Sequence, residues 1–402
     1  MLSYGSWSHV VSKSQSKCIE ADSDAVNIGG MQCSYFDAGK CHSCTLMGTP
    51  YEAQVVSKQA KVSALLPKVD FWDTPFCGPE RGFRNKAKLA VGRKGRSGPY
   101  QLGILAPGGG VQDLTACGLY EPPIRASFAP LKRALAKTDL KPYDPATHKG
   151  QLRTVIVSTN PAGELQVRFV CRTAASIVPL RRALAGLQAE LPNLVAASIN
   201  LHPRHVALLE GDEEVPLTEG ARLTMPVGVD LQLDRRSFFQ TNTTVARALY
   251  AQARQWAGPP TGKAWDLYCG VGGFALTLAK AGWEVSGVET IASAIGCARD
   301  AAAAQGLPAK FQIGDATDWA LAQTEVPALV VVNPPRRGIG QRLATVLNEG
   351  GASRILYSSC NPKTLAKDLA ILDNYRPTRA RMFDMFPQTN HVETAVMLSR
   401  IV

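Results

Sequence analysis

From Lys263 to Glu289 the chain reads KAWDLYCGVGGFALTLAKAGWEVSGVE, and the fold turns on how this stretch is read. Ala264 to Tyr268 predicts a short strand, Gly270, Gly272 and Gly273 a tight turn, the apolar residues after them a helix, and the run closing at Glu289 a second strand. That succession is one unit of a doubly wound α/β sheet. Glu289 stands twenty-three positions after Asp266, about where such a sheet presents a carboxylate to a ribose hydroxyl pair.

The glycine turn lacks the full spacing of a dinucleotide fingerprint. Its D-x-Y-C-G-x-G-G form better suits S-adenosylmethionine, which has no pyrophosphate to cradle. Cys269 and Cys297 read as packing residues. Upstream, RRSFFQTN leads into a helix from Val245 to Trp256, which Gly258-Pro259-Pro260 breaks. Downstream, FQIGDATDW puts Asp315 at the end of a strand, where an adenine amino group can be met.

ALVVVNPPRRGIG then gives a wholly apolar strand closing on Asn333, and the two prolines stiffen the turn that follows. Such a rigid loop presents polar groups to a planar base. In RILYSSCNPKTLAKDL, residues 354–369, an apolar strand ends at Ser358-Ser359-Cys360, Asn361 is a helix cap and Pro362 suits the first helical position. A thiol at that junction feels the helix dipole and unpaired backbone N–H groups, both of which favour the thiolate. The last strand, HVETAVMLSRIV, carries Glu393 near its start. Run antiparallel, as one strand of a mixed sheet commonly is, it gathers Asn333, Cys360 and Glu393 on the edge where α/β sheets bind ligands. A nucleophile, a polar base reader and a carboxylate beside a methyl donor compose a reaction.

With 402 residues the chain fills two or three domains, and 45% hydrophobic against 19% charged residues marks a globular protein. Its 44 Lys+Arg exceed 33 Asp+Glu, a net charge of +11 that points to a polyanionic partner, most simply nucleic acid. No apolar run approaches the roughly 18 residues a bilayer span needs, and no secretory pattern opens the chain. The expected address is cytoplasmic, with no membrane partner. There the ten cysteines are mostly reduced, so clustered ones suggest metal rather than disulfides.

Residues 1–30, rich in Ser, Asp and Gly, read as a disordered leader, with Met31 as the working start. Cys33, Cys41 and Cys44 follow, close enough to share one centre, and Cys117 is the best fourth ligand; zinc and iron–sulfur both fit. His42 reads as a neighbour rather than a ligand, and Cys18, Cys77 and Cys171 as structural. RGFRNKAKLAVGRKGR, residues 81–96, holds seven basic residues and no acidic one, with Phe83 interleaved to stack on an unpaired base. QLRTVIVSTN, LQVRFVCRT and VAASINLHP predict strands, and a helix from Ile177 to Leu191 separates two of them. The expected organisation is thus an α+β RNA-binding region over 31–235 and a methyltransferase domain over 236–402. No heptad argues for more than a monomer.

DLYCGVGGF, NPPRRGIG, YSSCNPKTLAKDL and HVET together resemble the RNA uracil-C5 methyltransferases, and the likeness runs from Met31 to the C-terminus. Within that family the Met-Gln-Cys start, the GFRNKAK run, the lack of an appended N-terminal barrel and Asn333 before Pro-Pro-Arg resemble the short bacterial enzymes acting on 23S rRNA. The resemblance implies a Rossmann-like S-adenosylmethionine domain and a 4Fe-4S cluster on Cys33, Cys41, Cys44 and Cys117. It further implies S-adenosylmethionine contacts from Gln240, Tyr268, Glu289 and Asn333, Cys360 as nucleophile, and Glu393 as base. Asp315 is a weaker candidate for the same pocket.

Overall fold

The computed structural model describes residues 31 to 401 apart from 96, 107, 108, 207 and 221; the predicted leader, Cys18 and Arg96 lie outside the described residues. Eight strands form one sheet in the order Trp72–Cys77, Tyr375–Asp384, Glu393–Arg400, Arg354–Ser359, Leu329–Val332, Lys263–Leu267, Glu284–Glu289, Ala309–Ile313. All neighbours are parallel except the two pairs made by Glu393–Arg400, so the last strand is the reversed one, as expected.

Helices cover both faces, which is why Leu329–Val332 is apolar and buried at every position. Thr243–Ala257, Gly273–Lys280 and Ala292–Ala304 pack on one face; Tyr51–Leu65, Ala316–Leu321, Gly340–Glu349 and Pro362–Leu369 pack on the other. One part of the chain before residue 235 belongs to this sheet. Val55 and Val62 of the Tyr51–Leu65 helix enter its core, and Trp72–Cys77 pairs at its edge, Trp72 opposite Ala380. WDTPFC gives little sign of this, because its proline interrupts the ladder and suits only an edge.

The second sheet has seven strands, in the order Val111–Asp113, Tyr100–Leu105, Lys86–Arg93, Leu152–Thr159, Leu165–Cys171, Leu194–Leu201, Glu213–Pro216. Its one parallel pair, Leu165–Cys171 with Leu194–Leu201, is bridged by the Ile177–Glu190 helix. That helix and Pro122–Ala136 close a separate core around Phe128, Leu131 and Phe169. At the seam between the sheets, Asn85 Nδ2 donates to Gln240 O at 2.9 Å and to Thr243 Oγ1 at 2.8 Å.

The basic run at 81–96 is less free than its composition suggests. Phe83 is 3% exposed and packs with Met31, Cys44, Met47 and Leu119, which overturns its reading as a base-stacking ring. The first turn of the run folds back over the cysteine segment, and burying an aromatic there outweighs leaving it in water. Lys88 is paired with Glu210 at 2.8 Å, and burial holds the Lys86 amine down to about 8.

Candidate active site

The carboxyl ends of the central strands set the site. Leu267 pairs with Val288 on one side and Val332 on the other, and Val332 pairs with Tyr357. One residue further along each strand lie Glu289, Tyr268, Asn333 and Ser358, a single row across four strands. Three of the four predicted cofactor residues are therefore neighbours by register. Tyr268 has φ +66, a left-handed backbone rare for a non-glycine residue, and it turns the chain into the glycine loop. Its phenol and the Asn333 amide make no hydrogen bond among the described residues, so both are open to a ligand.

Glu289 is already oriented: its Oε1 accepts from Thr290 N at 2.7 Å, Thr290 Oγ1 at 2.9 Å and Ile291 N at 3.1 Å. Beneath the loop, Asp266 is wholly buried and accepts from Ala275 N at 2.8 Å, fixing the start of the Gly273–Lys280 helix. Burial pushes its carboxyl up to about 7. Gly273 is required here, because a Cβ would lie 2.5 Å from the Tyr250 hydroxyl. Asp315 spends Oδ1 on capping the Ala316–Leu321 helix, accepting from Thr317 N and Asp318 N.

Gln240 enters from the seam. Its side chain makes no hydrogen bond among the described residues, and the structure gives it no direct contact with the row. Two residues on, Asn242 donates to Met385 O at 3.4 Å, which brings this turn to the loop preceding Glu393.

Cys360 and Glu393 end the site. Ser358 faces Ala395 and Ser359 faces Thr394; the next step of the antiparallel register sets Cys360 opposite Glu393. Glu393 is 2% exposed and its Oε1 accepts from Ser358 Oγ at 2.5 Å. Burial pushes the carboxyl up to about 7, against the pull of that hydrogen bond, so the group changes charge near neutral pH. Ser358 went unnoticed in the sequence, although it stands two residues before Cys360, near the end of the strand that leads into it.

The helix dipole does not make Cys360 acidic, contrary to the sequence expectation. Burial and then the Glu393 carboxylate push the thiol pKa up, while the Arg336 guanidinium pulls it down. One reason is local: Asn361 Oδ1 caps the Pro362–Leu369 helix by accepting Lys363 N at 3.2 Å, so that N–H is not available to sulfur. Arg336 also ties the loops together, its carbonyl accepting from Asn361 Nδ2 at 2.9 Å and Thr364 Oγ1 at 3.1 Å. Behind it, Asp368 Oδ2 accepts from Tyr357 O–H at 2.6 Å and Ile339 N at 2.9 Å. Strand, helix and Pro-Pro loop thus share one buried carboxylate.

Cys33, Cys41, Cys44 and Cys117 gather in a cluster of their own. Cys44 is buried with Met31, Met47, Phe83 and Leu119, and Cys33 and Cys117 pack against that cluster. Burial, then the charges of Cys117, Cys41 and Cys33, push the Cys44 thiol up to about 11. Among the described residues no three His, Cys, Asp or Glu side chains stand as a formed metal cage. The thiols nevertheless neighbour one another closely enough that each opposes the ionisation of Cys44.

A parallel sheet with one reversed strand, a glycine turn and a polar row at its carboxyl edge define an S-adenosylmethionine-dependent methyltransferase. A Methyltransferase domain model matches residues 264–351, and the tRNA (Uracil-5-)-methyltransferase family model matches residues 317–401. Two relatives named 23S rRNA (uracil(747)-C(5))-methyltransferase RlmC are similar over nearly the whole chain. That of Escherichia coli O157:H7 (strain EC4115 / EHEC) is 42% identical over 92% of this chain and 100% of its own length. That of Cronobacter sakazakii (strain ATCC BAA-894) is 44% identical, with the same coverage of both chains. The crystal structure of Pyrococcus abyssi tRNA (uracil-54, C5)-methyltransferase in complex with S-adenosyl-L-homocysteine is 25% identical, with TM-score 0.74 over 88% of this chain and 85% of that one. The chain belongs to the RNA uracil-C5 methyltransferase family.

Proposed function

We propose that this enzyme methylates carbon 5 of one uridine in 23S rRNA, giving 5-methyluridine. The observation that carries the chemistry is the thiol of Cys360 set opposite a buried carboxylate that titrates near 7, at the end of a row open to a methyl donor. Relatives that share more than four residues in ten and act on 23S rRNA support the substrate. An rRNA substrate agrees with a cytoplasmic location. Among the described residues no helix is long and apolar enough to cross a membrane.

Carbon 5 of uracil is too weak a nucleophile to take a methyl group unaided. The Cys360 thiolate adds to carbon 6, and the electrons of the 5,6 double bond move into an enolate. S-adenosylmethionine supplies the methyl group, which carbon 5 takes as the sulfonium bond breaks. Glu393 then removes the proton from carbon 5, the double bond re-forms, and the thiolate leaves. Arg336 favours the thiolate at the start and receives it at the end. Gln240, Tyr268, Glu289 and Asn333 hold the donor, Glu289 at the ribose, and Asn333 and Gln240 also steady the ring edge. Both carbon 5 and carbon 6 of the pyrimidine have to be reached, so the base is turned out of any stack.

Cys33, Cys41, Cys44 and Cys117 form the donor set for a 4Fe-4S cluster in the part of the chain before residue 235, the RNA-binding region. A Cys44 thiol whose ionisation is opposed by burial and by its three cysteine neighbours fits a group whose cationic irons would relieve that opposition. A cluster there supplies a staple between the N-terminal segment and the turn at Cys117. The test of the whole reading is methyl transfer from S-adenosylmethionine to 23S rRNA, with mass mapping of the product. Transfer to tRNA and not to 23S rRNA, or none at all, overturns it.

A further inference from the structure

Gln388 lies in the loop between the Tyr375–Asp384 and Glu393–Arg400 strands, five residues before the base. It is wholly buried and has φ +68, a conformation that a long side chain rarely adopts. Every polar group it owns is engaged. Its N–H donates to Gln54 Oε1 at 3.0 Å, its Oε1 accepts from Gln54 Nε2 at 2.8 Å, and its Nε2 donates to Glu80 Oε2 at 2.8 Å. Its carbonyl accepts from Leu46 N at 2.9 Å.

Leu46 sits in the turn in which Met47 N bonds Cys44 O at 3.2 Å. Gln54, 1% exposed, grips the same turn from the other side, its Nε2 reaching Leu46 O at 3.3 Å and Thr49 O at 2.8 Å. The cysteine pocket is therefore joined to the loop that delivers Glu393 through one pair of glutamines. The loop has a further anchor: Lys58 Nζ donates to Asp384 Oδ1 at 2.8 Å and Phe386 O at 3.2 Å. That anchor lies at the loop's beginning, whereas Gln388 fixes its middle.

We infer that Gln388 is a positioning residue, holding Glu393 at the target carbon and coupling its placement to the state of the Cys44 turn. Strain at a residue whose backbone is held by two partners and whose side chain by a third is expected where geometry has to be kept. The inference rests on the methyl-transfer reading and adds to it a mechanical link between the thiol pocket and the proton-removal step.

The test compares Gln388→Gly with wild type and with Glu393→Gln. Glycine keeps the left-handed turn and removes the side chain. A displaced base slows proton removal after methyl transfer, so Gln388→Gly should lower kcat roughly ten- to a hundredfold, leave KM for S-adenosylmethionine unchanged, and accumulate a denaturant-resistant protein–RNA adduct. Cys44→Ser should accumulate the same adduct, and the double variant less than the product of the two effects. Should Gln388→Gly not fold, Gln54→Ala breaks the same link from the opposite side and is read identically.

Normal kcat with no adduct overturns the inference, as do multiplicative effects of Gln388→Gly and Cys44→Ser. If Glu393→Gln traps no adduct and Cys360→Ala still methylates, the covalent mechanism through Cys360 and Glu393 has failed, and Gln388 is not what was tested.

Discussion

Ser358 donates a 2.5 Å hydrogen bond to Glu393 from the strand Arg354–Ser359, whose end leads directly into Cys360. The carboxylate proposed as base is therefore held by the strand that leads into the proposed nucleophile, which fixes the one relative to the other. Removing each should give opposite products. Cys360→Ala should abolish methylation while S-adenosylmethionine still binds. Glu393→Gln should complete methyl transfer and stall as a covalent adduct, visible as a shifted band on a denaturing gel. An adduct formed by Cys360→Ala would reject the assignment.

Arg336 is the group that opposes burial and Glu393 at the Cys360 sulfur. Replacing it by Gln should move the thiol pKa further up. Alkylation of Cys360 by iodoacetamide, followed against pH, should then need a more alkaline solution than in the wild type. An unchanged profile would place the guanidinium outside the nucleophile's field.

Gly273 admits no side chain because Tyr250 stands against it. Gly273→Ala should cost about 1–3 kcal/mol of stability, as overpacking in a tight core does, and weaken binding of S-adenosylmethionine by displacing the loop. Adding Tyr250→Ala should recover part of the binding lost, measured by titration calorimetry. If the two substitutions are simply additive, the contact is not what excludes Cβ.

For the cysteine pocket, Cys41→Ser or Cys117→Ser should lower the iron and sulfide bound by anaerobically purified protein. Wild-type protein with neither element would remove the cluster from the account. The pocket would then be a set of four reduced thiols packed beside Phe83.

The methyltransferase half was legible because its signals are local. The glycine turn, the apolar strand before Asn333 and the Asn361-Pro362 cap each fix their own backbone, and the reversed last strand followed from its position. What escaped depends on contacts distant in sequence. Phe83 looked free because its neighbours in sequence are basic, yet its neighbours in space are Met31 and Cys44. Tyr51–Cys77 joined a sheet built three hundred residues later, around Ala380, which periodicity within the segment does not record. The Cys360 pKa went the other way because the helix is local and visible, whereas Glu393 and the burial that oppose it come from another strand.

The two buried carboxylates make stability depend on pH. Glu393 has moved from an ordinary 4.5 to about 7, and Asp266 from 3.8 to about 7, both through burial. Each folded-state pKa is raised, so each contributes stability that is full below its unfolded value and is lost as pH rises through 7. Between pH 5 and 8 the wild type should lose roughly 2 kcal/mol through Glu393, since folding at the higher pH buries a charge that the unfolded chain leaves in water. Glu393→Gln keeps an acceptor for Ser358 and has no proton to lose. Its thermal midpoint should fall less over that range, and only the Asp266 share should remain. Elimination in the proposed mechanism obeys the opposite preference, because there the ionised carboxylate acts as base. Wild-type enzyme should therefore hold more RNA as covalent adduct at pH 6 than at pH 8, although it is the more stable protein there. Equal slopes of midpoint against pH in the wild type and Glu393→Gln would mean that Glu393 is ionised throughout, and the adduct would then show no such rise in acid.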